Sequence, residues 1–146
     1  DAVAGCRHPV IAEIRGACMG GGLEIAAACD LRIAGEGARF GAPIMQLGFT
    51  MAHSELVGLV ALAGPAVTLE ILLEGRILTA REAYEKGLVA RVVPDDGLAA
   101  EVAATAVRIA AGAPLAARAH KRLVRRLTVA VPRAGDRVRH IRLRIT

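Results

Sequence analysis

Gly20, Gly21 and Gly22 stand in a row within an otherwise apolar stretch that runs from Pro9 to Asp30. Before them, Val10–Ile14 is a short apolar run with one polar interruption, which predicts a strand. Arg15–Gly16 then reads as a turn. After the glycines, the alanine-rich segment to Cys29 predicts a helix over Gly21–Cys29. Glycine is a poor helix former. A helix that opens on glycine therefore sets propensity against pattern, and such a conflict often marks a site. Without a Cβ, the backbone N–H groups can come close to a ligand, and the start of a helix adds a partial positive charge. That suits an oxyanion such as a polarised thioester carbonyl. Glu24 falls on the first helical turn, within reach of the same space, where a carboxylate can move a proton. A cavity is expected beside it. The bland alternative is a tight turn followed by a surface glutamate that the helix dipole favours.

The remaining chain reads as strand, then several helices, then strand and helices. Asp30–Ala34 alternates and predicts a strand with one wet face. Gly35–Phe49 is punctuated by five glycines and prolines and reads mostly as loop, with Phe40 as a candidate buried strand residue. Ser54 is a candidate N-cap for a helix through Ala63, which Gly64–Pro65 ends, and Pro65 opens a second helix through Leu73. Thr79 with Glu82 three residues on is a capping box for a short helix through Lys86, and Gly87 stands at C′. Leu88–Val93 predicts a strand, Pro94–Gly97 a turn, Leu98–Ala111 a helix, and Pro114–Leu127 a last helix after the break at Gly112. The order fits α/β architecture with a helical C-terminal part, divided as residues 1–97, 98–127 and a basic tail over 128–146.

Composition narrows the partners. The net charge of +5 comes from the C-terminal end, where residues 118–146 hold 10 of the 19 Lys and Arg against one acid, and the rest of the chain is net negative. Arg118, Lys121, Arg122 and Arg125 recur at helical spacing and could face phosphates or only solvent. Nucleic acid is disfavoured, because one Tyr, two Phe and no Trp leave few stacking surfaces. No unbroken run of 18 apolar residues suggests a membrane span, and Asp1–His8 does not read as a signal peptide. Cys6, Cys18 and Cys29 are odd in number and lack metal-ligand spacing, as do the four histidines. Reduced thiols in a cytoplasmic protein with no metal is the reading. Cys18 lies near the glycine turn but has no evident base to activate it. A dinucleotide site is disfavoured too, because the glycines lack the Gly-x-Gly-x-x-Gly spacing.

From about His8 to Leu127 the sequence resembles the enoyl-CoA hydratase/isomerase, or crotonase, family. The resemblance rests on Pro9-Val-Ile-Ala12, Gly20-Gly-Gly-Leu-Glu24, Cys29-Asp30, Phe40-Gly-Ala-Pro43, Leu47-Gly48, Glu74-Gly-Arg-Ile-Leu-Thr-Ala80, Ala83 and Gly87-Leu-Val89, in that order and spacing. It implies a partial spiral of β-β-α units that handles acyl-CoA thioesters, with coenzyme A as part of the substrate and no tightly bound cofactor. It also implies trimers or pairs of trimers, in which a single open-edged chain finds cover. It assigns to the Gly21 N–H one half of an oxyanion hole, flanked by Gly20 and Gly22, and to Glu24 one of two catalytic carboxylates.

The second carboxylate of the hydratases follows the proline of the Phe-Gly-x-Pro stretch, and here Ile44 holds that place. An isoleucine moves no proton. His53 and Glu55, in a segment that departs from the family pattern, are the candidate replacements. The basic residues at 118, 121, 122 and 125 are candidates for the phosphates of coenzyme A. The segment that carries the family's second oxyanion donor and much of its acyl pocket does not precede Pro9 in this sequence, and that leaves the strand at Pro9 expected to lack neighbours. The arginine-rich end after Leu127 is also unlike the family. Three readings stay open: hydration of a 2-enoyl-CoA as the default, double-bond isomerisation, and a catalytically impaired form that keeps only binding or assembly surfaces.

Overall fold

The computed structural model describes residues 2–129. The reading of residues 130–146 as a basic tail lies outside the described residues. After a short helix α1 (Ala2–Gly5), the chain places strand β1 (Ile11–Ile14), strand β2 (Ala17–Met19) and helix α2 (Gly21–Ala28). It then repeats the pattern with β3 (Leu31–Gly35), β4 (Arg39–Gly41), a 3-10 turn (Pro43–Leu47) and α3 (His53–Leu73). Strand β5 (Leu78–Thr79), helix α4 (Ala80–Glu85) and strand β6 (Arg91–Val93) follow. Helices α5 (Leu98–Ala110) and α6 (Pro114–Val129) close the described chain.

Each β-β-α unit gives one strand to each of two sheets. In the first sheet β3 lies between β1 and β6, all parallel, with Ile11 opposite Leu31 and Ile33 opposite Arg91. In the second, β4 lies between a parallel β2, with Cys18 opposite Phe40, and an antiparallel β5. Gly16, at φ 67°, takes the chain from one sheet to the other, a conformation that suits a residue without a Cβ. The core lies between the sheets and α2, α3 and α4, around Leu23, Phe40, Leu59, Ile71, Leu78 and Leu88. Helix α5 packs on β1 and β3.

Several expectations change. β1 does have a neighbour, β3, so the first strand is not isolated. Phe40 is buried on a strand, β4, as expected, but the bounds of β4 and all of β2 went unread, because each has three residues and a glycine or arginine within or beside it and no alternation shows. Parallel pairing with each other supplies what local propensity lacks. The strand expected over Leu88–Val93 is only Arg91–Val93. Leu88 instead completes the end of α4, where its N–H reaches Ala83 O at 2.8 Å and that of Gly87 reaches Tyr84 O at 3.1 Å. This is the paired closure that a left-handed Gly87, φ 79°, permits. The capping box at the other end of α4 is present, with Thr79 N donating to Glu82 at 2.8 Å and Glu82 N to Thr79 Oγ1 at 3.2 Å.

The cap of α3 is Ala52 rather than Ser54. By length and composition α3 could cross a membrane, which the count of unbroken apolar residues missed. Gly64 has non-helical angles, φ 78° and ψ 167°, and splits α3 into segments 53–63 and 65–73. Each falls short of the ~20 residues that a span needs.

The wet face expected on β3 is not wet at Arg32. Its guanidinium donates to Leu88 O at 2.9 Å, Cys29 O at 2.8 Å and Ala26 O at 3.2 Å. It therefore satisfies the last carbonyls of α2 and ties that helix to the loop before β6.

Candidate active site

The glycine turn sits where β2 runs into α2. Gly20 takes φ 47°, ψ −117° as the residue before the helix, and its N–H donates to Gly41 O at 2.9 Å, which extends the pairing of β2 with β4. Only glycine adopts that backbone without strain. The first intrahelical bond is Glu24 N to Gly20 O, at 3.0 Å. The N–H groups of Gly21 and Gly22 precede it and have no partner inside the helix, and no side chain caps them. A Cβ at Gly21 or Gly22 would meet nothing within 4 Å, and neither residue has positive φ. Neither backbone conformation nor crowding within the described residues requires glycine there. What remains is room at two glycines whose N–H groups have no partner among the described residues.

Glu24 is half-buried on the first turn of α2. Burial pushes its carboxyl above the usual range, and the neighbouring Glu55 pushes the same way. No ion pair reaches Glu24 among the described residues. Glu55 lies on the first turn of α3, with Oε2 accepting from Ala52 N at 2.8 Å. Ile44, in the 3-10 turn after β4, packs half-buried against the core. His53 opens α3 and is exposed. The structure thus brings Glu55 to Glu24, whereas His53 makes no described side-chain contact. Glu24 lines neither of the two cavities described around α6, Ala4–Arg7 and Ile11.

The basic residues of α6 do converge. Arg118, Lys121, Arg122 and Arg125 line one cavity of about 790 Å³ together with Ala4–Arg7 and Arg126. Arg7 and Arg126 went unread; the Arg122–Arg126 spacing of four was the available signal. Two of the four expected residues are already engaged. Lys121 Nζ, on a side chain only 8% exposed, pairs with Asp30 Oδ2 at 2.7 Å and donates to His8 O at 2.7 Å. Arg125 pairs with Asp30 Oδ1 at 3.0 Å and donates to Ala28 O at 2.7 Å and to Ala4 O. Asp30 also accepts from Val10 N at 2.7 Å. Burial would raise its carboxyl, but Lys121, Val10 N–H and Arg125 outweigh that and hold it below the usual range. Asp30 is a structural tie between the end of α2, the start of β1 and α6. Arg118 and Arg122 remain for an anion, and Arg118 Nε is buried without a partner among the described residues.

Cys18 is buried, and burial followed by Cys29 pushes its thiol up to about 11, so it is no nucleophile at neutral pH. No group of metal-ligating side chains occurs among the described residues.

Comparison with known proteins gives this arrangement its context. An enoyl-CoA hydratase/carnithine racemase from Magnetospirillum magneticum superposes with a TM-score of 0.85 at 57% identity, over 87% of this chain and 48% of that structure. The crotonyl-CoA hydratase of Syntrophomonas wolfei is 40% identical over 113 residues, 77% of this chain and 44% of its own length. The (E)-benzylidenesuccinyl-CoA hydratase of Thauera aromatica is 41% identical over 113 residues, again 77% and 44%. The chain spans about half the length of the curated relatives it matches. The sequence profile of the enoyl-CoA hydratase/isomerase family matches residues 1–144. With its glycine turn, its Glu24 and its two sheets built from repeated β-β-α units, the chain belongs to the enoyl-CoA hydratase/isomerase family, in the crotonase fold.

Proposed function

We propose that this chain carries the oxyanion-binding and acid–base part of a site that hydrates the 2,3-double bond of an enoyl-CoA thioester. One observation carries the reading: among the described residues the N–H groups of Gly21 and Gly22 have no partner, there is open room at both α-carbons, and Glu24, half-buried on the same helical turn, has no ion-pair partner. Negative charge that develops on the thioester oxygen falls to those donors. A carboxyl that holds its proton more firmly than usual is suited to give it to carbon. Relatives of nearly the same identity, 40% and 41%, are named for a crotonyl and for a benzylidenesuccinyl substrate, so the acyl group stays unassigned. For coenzyme A phosphates the α6 cavity offers Arg118 and Arg122, because Asp30 already engages Lys121 and Arg125.

Isomerisation is the second reading, favoured by one residue. Ile44 holds the position that the resemblance gives to the second hydratase carboxylate, and moving a double bond demands less of two carboxylates than adding water. Trimeric assembly is supported by apolar side chains left exposed on α2 and α3, among them Ile25, Leu69 and Leu73.

The test is loss of the conjugated-thioester absorbance of but-2-enoyl-CoA with the purified chain, wild type beside Glu24→Gln. The expected result is turnover in the wild type that falls at least ~100-fold in the variant while thioester binding persists. Turnover indifferent to Glu24→Gln overturns the assignment.

A further inference from the structure

The place that the family gives to a second carboxylate is apolar here, yet a second carboxylate stands beside Glu24 on another element. Helices α2 and α3 meet through small residues: a Cβ built on Gly58 would lie 3.9 Å from the Cβ of Ala27. Ala27 is one turn after Glu24, and Gly58 is one turn after Glu55. The touching faces therefore continue, on each helix, to a glutamate at its N-terminal turn. Helical side chains lean toward the N-terminus, so both carboxylates lean toward the helix starts, one of which is the glycine turn. The upward push that the charge of Glu55 exerts on the Glu24 carboxyl agrees with that proximity.

Glu55 is also held. Its Oε2 accepts the N–H of Ala52 at 2.8 Å, half of a capping box whose other half is missing because Ala52 has no side-chain acceptor. Oε1 has no described partner. The chain thus offers near Glu24 a carboxylate oriented through Oε2, with Oε1 unpartnered among the described residues.

We propose that Glu55 is the second acid–base carboxylate of this site and does the proton transfer that Ile44 cannot. The proposal rests on the function proposed above. Water adds through its oxygen to the β-carbon, and one of its O–H bonds breaks as Glu55 takes the proton. The π pair moves to the thioester, which becomes an enolate held by the Gly21 N–H. The enolate collapses as its α-carbon takes the proton of Glu24. Glu55 has gained one proton and Glu24 has lost one, and exchange with solvent restores both. One water is consumed and no redox change occurs.

The experiment compares Glu55→Gln, Glu55→Ala and Glu24→Gln on but-2-enoyl-CoA, with circular dichroism and a denaturant midpoint for each. Glutamine keeps an oxygen for the Ala52 N–H, so Glu55→Gln preserves the cap and loses only the proton transfer. The expected result is that kcat falls ~100-fold or more in both Glu55 variants, with KM within about threefold and the glutamine variant as stable as wild type. If Glu55→Gln turns over like wild type while Glu55→Ala is unstable, Glu55 is a cap and the proposal is overturned, although Glu24→Gln can still show that the proposed function stands. A wild type without turnover overturns that function and this role together.

Discussion

The two ends of helix α2 carry one acid each, and the chain treats them in opposite ways. Asp30, just past the C-terminal end, accepts from Val10 N–H, Lys121 and Arg125, while Arg32 takes up the adjacent helix carbonyls. Every strong group there has a partner, and the carboxyl is held below its usual range. At the N-terminal end the Gly21 and Gly22 donors have no partner within the helix, Glu24 has no cation partner among the described residues, and its carboxyl is pushed up. A charge that holds the fold together is surrounded by opposite charge. The charge proposed for chemistry is left without a counter-charge among the described residues, at some expense in stability.

The largest effect should come from breaking the satisfied end. Asp30→Asn leaves the mostly buried Lys121 ammonium without its counter-charge and is expected to destabilise the chain by about 3 kcal/mol, read as a shift in the urea midpoint at constant slope. A loss under ~1 kcal/mol would mean that the cluster behaves like a surface ion pair.

Next comes the glycine turn, where neighbouring substitutions separate backbone need from ligand need. Gly20→Ala forces a side chain onto φ 47° and should cost about 2 kcal/mol. Gly21→Ala meets open space and should leave the urea midpoint nearly unchanged, within ~0.5 kcal/mol, consistent with alanine's helix propensity, while thioester turnover falls. Equal destabilisation by both would reduce the turn to a structural element.

The smallest effect concerns pH, and its sign differs between the ends. The folded Glu24 carboxyl lies above its unfolded value, so its contribution is fully present below about pH 4.3 and is lost as pH rises through the folded value. Glu24→Gln should therefore be as stable as wild type in acid and slightly more stable at neutral pH, by less than ~1 kcal/mol. Asp30 runs the other way. Its contribution is present above about pH 3.9 and is lost as pH falls through the lower folded value. Guanidinium midpoints across pH 3–7 for wild type and Glu24→Gln check the sign, and a variant less stable than wild type at neutral pH would contradict it.

The elements that punctuate themselves were legible in the sequence. Gly20–Gly22 before an alanine helix, Thr79 with Glu82, Gly87 and the Gly64–Pro65 break all act through local backbone chemistry, and all stand where the residues placed them. β2 was not legible and β4 only at Phe40, because three residues beside glycine carry no period and their pairing is set by chain far away. Arg32 read as solvated because its partners, the carbonyls of Ala26, Cys29 and Leu88, are identical in every residue. Glu55 was legible as a candidate for the missing carboxylate, but not as a better one than His53, because its nearness to Glu24 depends on how closely two helices meet at Ala27 and Gly58. The cations at 118, 121, 122 and 125 were legible as a face, but the engagement of two of them by Asp30 depends on tertiary contact.

The contrast between the ends of α2 is tested most directly by titrating its two acids in one sample. Carbon-detected NMR of the side-chain carboxyls, from pH 2 to 8, reads Glu24 and Asp30 separately. The account predicts Glu24 above about 4.3 and Asp30 below about 3.9, with the Glu24 shift reduced in Glu55→Gln. Glu24 at or below its ordinary value would mean that its carboxylate is compensated like that of Asp30, and would contradict the account.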